Sequence, residues 1–129
     1  MGIVVGAAVV REGRVLAARR TRPASAAGRW ELPGGGVEDG EDEATALARE
    51  CREELALDVV VGAAVGEEVA LPGGRVLRIR LCTTEGDPTA SEHDALIWVG
   101  PDELEDLDWL DADRLVLPAL AAALRSGGC

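Results

Sequence analysis

The chain has 129 residues, 47% of them apolar and 29% charged, with a formal net charge of −11 at pH 7. That length bounds it to one domain, residues 1–129, with room for a hydrophobic core, and the acidic balance excludes a nucleic-acid polymer or an anionic membrane surface as a non-specific partner. Lys, Phe and Tyr are missing, so no Schiff-base or P-loop lysine exists, and Trp30, Trp98 and Trp109 are the only rings able to stack on an aromatic ligand.

In chain order, "MGIVVGAAVV" lacks the basic start of a secretory leader, and no apolar run approaches the roughly 20 residues of a membrane span. Residues 3–10 read as a buried strand, "REGR" as a hairpin turn, and residues 15–20 as its partner strand. A small, polar stretch at 21–29 reads as a loop. Trp30-Glu31-Leu32 is a short extended piece halted by Pro33, and Gly34–Gly36 a glycine loop. Residues 42–55 are expected as a helix, with Ala44, Leu47, Ala48, Cys51 and Leu55 as its buried stripe.

A strand is expected from Asp58 to about Leu71, broken by Gly62 and Gly66. "PGG" turns it into "RVLRIRLCTT", which alternates Leu77, Ile79 and Leu81 against Arg78 and Arg80. The segment 85–94 reads as a loop carrying Glu92 and a lone His93 with no assigned role. Residues 95–99 form a further strand, "PDELEDLDWL" a short helix and turn, and the end a helix with Pro118 in its first turn. The pattern implies one mixed α/β domain, α+β in its antiparallel pairing, with a helix inserted early. Cys51, Cys82 and Cys129 lack metal-site spacing and read as reduced thiols, so a cytoplasmic location is expected.

The predicted helix carries Glu50, Glu53 and Glu54 at i, i+3 and i+4, so their carboxylates leave one face. Such a cluster repels itself unless a cation sits among it, and rigid oxygen ligands suit Mg²⁺. A solvated charged face is the other reading of the same spacing.

Gly35, five residues, Glu41, seven residues, then "RECREELAL" resembles the Nudix box, the signature of Nudix hydrolases. The match runs through Gly35, Glu41, Arg49, Glu50, Glu53, Glu54 and Leu57. Cys51 stands where an aliphatic is usual. Ala56 replaces a glycine at the helix exit, where a left-handed cap is often wanted, at a cost of about 1 kcal/mol and with no ligand lost. "RRTRPASAAGRWELPGG" and "EHDALIWVGPDELEDLDWLDADRLVL" resemble the flanks of the MutT-type branch, whose members act on oxidised-purine or pyrimidine nucleotides.

The resemblance implies the Nudix fold, an α/β/α sandwich around a mixed, curved sheet with a loop–helix–loop box. It also implies metal-dependent hydrolysis of a nucleoside triphosphate to monophosphate and pyrophosphate, with Mg²⁺ or Mn²⁺. Its ligands are then Glu50, Glu53, Glu54 and the carbonyl of Gly34, with Glu50 alternatively orienting or deprotonating water. Glu53 and Glu50 join the catalytic set, and Glu92 matches a catalytic glutamate of MutT-type enzymes or is a solvated loop acid. Gly35, Glu41 and Arg49 brace the box.

For the substrate, Arg20 falls where the branch binds phosphate, or is simply an arginine at a strand end. Glu31, Gly34 and Gly35 lie beside the glycine loop, and Arg78 either meets phosphate or stays solvated. Asp113 either reads a nucleobase edge or, like Asp111, caps the last helix. Trp30 and Trp109 are either stacking rings or core. The other readings are a Nudix hydrolase of ADP-ribose, a dinucleoside polyphosphate or a nucleotide sugar, and a non-catalytic nucleotide sensor. A monomer and a homodimer both fit the sequence.

Overall fold

Strand β1 (Ile3–Arg11) is apolar along most of its length because both of its faces are covered. In the computed structural model, which describes residues 2–127, Val5, Ala7 and Val9 face one core while Ala8 and Val10 face the other. Alternation cannot appear in a strand with two dry faces, so a continuous apolar run is what the position requires.

β1 is the hub of a mixed sheet. At its far end it turns at Glu12 and Gly13, both at positive φ, into β2 (Arg14–Arg20). Alongside it runs β7 (Val76–Thr83), parallel and in register from Ile3 opposite Val76 to Val9 opposite Cys82. β2 pairs antiparallel with β3 (Trp30–Glu31) and with β8 (His93–Val99). β7 carries β5 (Val60–Ala64) and β6 (Val69–Ala70) on its other edge. The strand expected from Asp58 to Leu71 is therefore two strands, parted where Gly66 takes φ 68°.

The glycine loop is also a strand. β4 (Gly34–Gly36) lies antiparallel on β1, with Gly34 opposite Gly6 and Gly36 opposite Val4. A run of glycines offers no side-chain alternation, which is why the sequence hides it; its reason is close approach. A Cβ on Gly34 would fall on the Val5 carbonyl, and one on Gly6 would come within 2.6 Å of the Ile79 side chain.

Helix α1 (Glu43–Leu55) covers one face of the sheet. Its N-cap is Asp42, whose carboxylate accepts the Thr45 N–H at 2.7 Å, an interaction that holds this acid below the usual range. The buried apolar stripe is Ala46, Leu47, Cys51 and Leu55; Ala48 is only half-buried, Ala44 is exposed, and Ala46 takes the inward position expected of it. Leu47 and Leu55 are fully buried, and truncating either to Ala would cost about 2–5 kcal/mol. Cys51 and Cys82 share this core as free thiols, each pushed up to about 12 chiefly by burial, while Cys129 lies outside the described residues.

The other face is covered by α2 (Asp111–Arg114) and α3 (Leu117–Arg125), with Trp109 and Leu104 beneath them. "PDELEDLDWL" makes only a 3₁₀ turn at Leu104–Asp106 rather than a helix. Trp109 is fully buried and donates its Nε1–H to the Leu104 carbonyl at 2.7 Å, so it is core and not a stacking ring. Helices on both faces of an open mixed sheet give the sandwich that the resemblance implied. Among the described residues no helix is long and apolar enough to cross a membrane.

Candidate active site

The acidic end of α1 and the glycine strand meet because glycine alone leaves room. A Cβ on Gly35 would fall on the Glu50 carboxylate, so β4 lies flush against the side chain that the helix projects. Arg49 locks this joint. Its Nε and Nη2 donate to the two oxygens of Glu41 at 2.7 and 3.0 Å, Nη2 also to the Gly36 carbonyl at 3.1 Å, and Nη1 to Glu50 at 3.0 Å and Glu53 at 3.3 Å. The Arg49 fork, together with the Glu38 N–H, holds the Glu41 carboxyl down to about 2. Gly36, Glu41 and Arg49 thus form one hydrogen-bonded corner, with Gly35 packed against Glu50 beside it.

At the exit of α1, Ala56 adopts φ 54° and ψ 36° and its N–H donates to the Arg52 carbonyl at 3.1 Å. The remaining helix-end carbonyls are taken by the segment before β8. Thr89 N–H donates to Leu55, and the Ser91 hydroxyl reaches the carbonyls of Glu53 and Glu54, each at 3.1 Å. The loop that carries Glu92 is therefore fastened to the helix that carries Glu54.

These elements enclose a small cavity of about 140 Å³ lined by Arg20, Glu31, Gly34, Glu50, Glu54, Glu92 and His93, with Thr21 and Arg22 at its rim. Arg20, the last residue of β2, donates Nη1 to both oxygens of Glu31 at 3.0 and 3.2 Å. His93, the first residue of β8, lies opposite Arg20 and places Nε2 2.8 Å from Glu31 Oε2 and 3.8 Å from Glu54 Oε1. Ligand atoms of Glu31, Glu54 and His93 all fall within 4.8 Å of one another, a grouping with the chemistry to hold a metal ion. Glu54 is buried, and its carboxyl is pushed well above the carboxylate range. Burial is the main cause, followed by a hydrogen bond with Glu50 and the negative charges of Glu31, Glu50 and Glu92.

The sequence-predicted residues divide by position. Arg20, Glu31, Gly34, Glu50, Glu54 and Glu92 line one cavity, and Gly35 packs behind Glu50. Glu53 stands outside it with its side chain 56% exposed. Arg78 is brought elsewhere: it pairs with Glu43 of α1 and Glu68, beside Arg80, at a separate surface recess.

A larger neighbouring cavity of about 380 Å³, within the usual range for small-molecule sites, shares Arg20, Glu31 and Gly34 with the first and continues to Leu32, Arg75, Leu77, Leu110 and Asp113. Asp113 is buried and accepts the Leu32 N–H through Oδ2 at 2.9 Å. Burial raises its carboxyl to about 7, with the Glu31 charge adding to the effect and the Leu32 hydrogen bond opposing it. It caps no helix: neither α2 nor α3 has a side-chain cap, and Asp111 instead pairs with Arg29 at 2.9 Å. Trp30 is half-buried beneath the Arg19 guanidinium, 5.6 Å from its ring centre.

His93 is the site residue that sequence reasoning passed over, and Asp94 likewise belongs to β8 rather than to a loop. A signal existed. It was partial: running the strand at 95–99 back in regular register sets Asp94 opposite Arg20, and only a register shift between Arg19 and Arg20 brings His93 there instead.

The sequence and the fold are shared with known proteins. The profile of the NUDIX domain matches residues 2–123. The chain is 51% identical over 126 residues to the Mycobacterium tuberculosis protein named "Putative 8-oxo-dGTP diphosphatase 2", covering 95% of this chain and 89% of that one. It is 36% identical over 122 residues to the CTP pyrophosphohydrolase of Escherichia coli, covering 92% and 90%. The solution structure of the E. coli ORF135 protein superposes with a TM-score of 0.83 at 35% identity, over 98% of this chain and 92% of that one.

Proposed function

Because the chain belongs to the Nudix hydrolase family, in its MutT-type branch, we propose that its two joined cavities bind a nucleoside triphosphate and hydrolyse it to the monophosphate and pyrophosphate with Mg²⁺ or Mn²⁺. The match over residues 2–123 supports reading the chain as one such domain. The observation that carries the reading is the burial of Glu54 against Glu50, Glu31 and Glu92, where its ionised form is disfavoured until a cation joins it.

The donor set fits a hard divalent cation: carboxylates clustered around Glu54, with Gly34 in the same lining and Gly35 leaving room for Glu50 against the strand. Glu50, Glu54 and the Gly34 carbonyl would hold it, with Glu31 beside Glu54 and Glu53 at the exposed rim able to join them. Such an ion offsets polyphosphate charge and makes water more acidic.

The chain's own groups do the rest. Arg20 presents a guanidinium to a phosphate oxygen and can exchange its Glu31 partner for substrate. Glu92, exposed at the mouth and weakly paired with Arg22 at 3.9 Å, is free to accept the proton of the attacking water. Asp113 offers its outer oxygen to the base edge in the larger cavity, keeping the other for Leu32. The names of the relatives point to 8-oxo-dGTP and CTP as the first substrates to test.

The experiment is a panel of unmodified and oxidised nucleotides with pyrophosphate and orthophosphate read separately, repeated in ¹⁸O water. Attack at the β-phosphorus puts label in pyrophosphate and none in the monophosphate. Label confined to the monophosphate would contradict that polarity, and orthophosphate with a nucleoside diphosphate would contradict pyrophosphohydrolysis.

A further inference from the structure

We propose that His93 is a positioning residue: its Nε2–H donates to Glu31 and holds that carboxylate beside Glu54 at the cation site, without ligating the cation itself. The inference rests on the divalent-cation reading of the cavity. It starts from the far side of the ring, where Nδ1 is buried and has no hydrogen-bond partner among the described residues. Nδ1 lacks a partner in either tautomer, but a proton there would also leave the Nε2 lone pair facing a carboxylate oxygen, acceptor against acceptor. The proton therefore belongs on Nε2, which lies 2.8 Å from Glu31 Oε2.

That assignment separates two roles the cluster allows. A metal-ligating histidine gives one nitrogen's lone pair to the ion and donates its other N–H to a carboxylate, carbonyl or water. Here the nitrogen that would need such an acceptor faces none, and the nitrogen nearest the carboxylates is occupied by its hydrogen. Ligation by His93 would thus lose the Glu31 hydrogen bond and strand an N–H on the opposite side. As a donor, the ring keeps the Glu31 bond and leaves only the Nδ1 lone pair without a partner. Glu31 is then held on one edge by Arg20 and on the other by His93, while Glu54 stands 3.8 Å from the same Nε2, beyond hydrogen-bond reach. When Arg20 turns to a phosphate, His93 remains to keep Glu31 from swinging.

The test measures Mn²⁺ binding to the purified chain without nucleotide, by electron paramagnetic resonance, for wild type, His93→Leu and His93→Gln. Leu removes the donor; Gln puts an amide N–H near the position of Nε2. His93→Leu is expected to bind Mn²⁺ about 10- to 100-fold more weakly, and His93→Gln to recover most of that loss. Pulsed measurements on wild type should show no coupling from a directly bound imidazole nitrogen, its spectrum matching that of the imidazole-free Gln variant, whether or not the Leu variant folds. Strong imidazole coupling in wild type, a Leu variant as tight as wild type, or a folded Gln variant as weak as Leu would each overturn the assignment. Wild type that binds no Mn²⁺ would remove the cation reading and this inference together. Wild type that binds while the variants bind equally well removes the inference alone.

Discussion

Ala56 shows how one residue can depart from a family pattern and still leave the site intact. It sits at φ 54° where glycine would be unstrained, yet its N–H closes the helix on Arg52 and the carboxylates upstream keep their places. Ala56→Gly is expected to stabilise the chain by up to about 1 kcal/mol, the relief of left-handed strain exceeding the gain in unfolded-state freedom. Chemical denaturation of the two proteins measures this, and nucleotide turnover should not change. Asp113 poses the opposite case, a residue whose value lies in its surroundings. Asp113→Ala would leave the Leu32 N–H buried without an acceptor, a loss of about 1–3 kcal/mol in stability. Asp113→Asn keeps that acceptor and changes only the outer edge. If the outer oxygen reads the base, the Asn variant should alter kcat/KM for the preferred nucleotide by about 5- to 150-fold, the equivalent of about 1–3 kcal/mol. Poor substrates should change far less, and a uniform change across the panel would count against base reading. The variant should also be the more stable protein above pH 7. A carboxyl raised from 3.8 to about 7 on folding disfavours the native state progressively as pH rises between those values.

At the scale of elements, the joint between β4 and α1 depends on Glu41 and Arg49 rather than on apolar packing. Glu41 is lowered from 4.5 to about 2 on folding, so its contribution is fully present above pH 4.5 and is lost as pH falls towards 2. Glu41→Gln should therefore lower the melting temperature near neutral pH, and the difference from wild type should close as the pH falls from about 4.5 to about 2. A gap that stays constant over that window would assign the effect to packing. The same joint explains what could be read in advance. α1 was legible because its cap, Asp42, and its 3-and-4 apolar spacing act within the helix itself, although Ala46 rather than Ala44 faces inward. The alternation of β7 was legible for the same local reason. β4 was not, because three glycines carry no pattern and their pairing is decided by the distant β1 backbone. Asp113 and Trp109 kept two readings apiece, since burial is settled by packing of β3 against the start of α2, about 80 residues apart in sequence. His93 was hidden in an apparent loop that becomes strand only by pairing with β2.

For the molecule as a whole, the arrangement trades stability for a charged cavity. Glu54 is carried into a nearly dry position beside three other carboxylates, with a net charge of −11 over the chain reinforcing the repulsion. Its carboxyl is raised on folding, so without metal the native state holds a proton that the unfolded chain releases, and stability falls as pH rises above the ordinary carboxylate range. Asp113 adds a similar fall up to its value of about 7, so the informative quantity is the difference between wild type and a Glu54 variant at each pH. Glu54→Gln keeps the shape and removes the ionisation. It should melt higher than wild type in chelator, with the gap widening from pH 5 to pH 9. A divalent ion reverses the order, because it binds the ionised native site and stabilises it by about 2.7 kcal/mol at a hundredfold excess over its Kd. Wild type should therefore gain melting temperature on adding Mg²⁺ or Mn²⁺ at pH 8, while Glu54→Gln gains little and hydrolyses nucleotide slower by orders of magnitude. Equal metal-induced shifts in the two proteins would remove Glu54 from the ion's ligands. A variant that melts lower than wild type in chelator would mean that its carboxyl stabilises the empty cavity through contacts stronger than the repulsion described here.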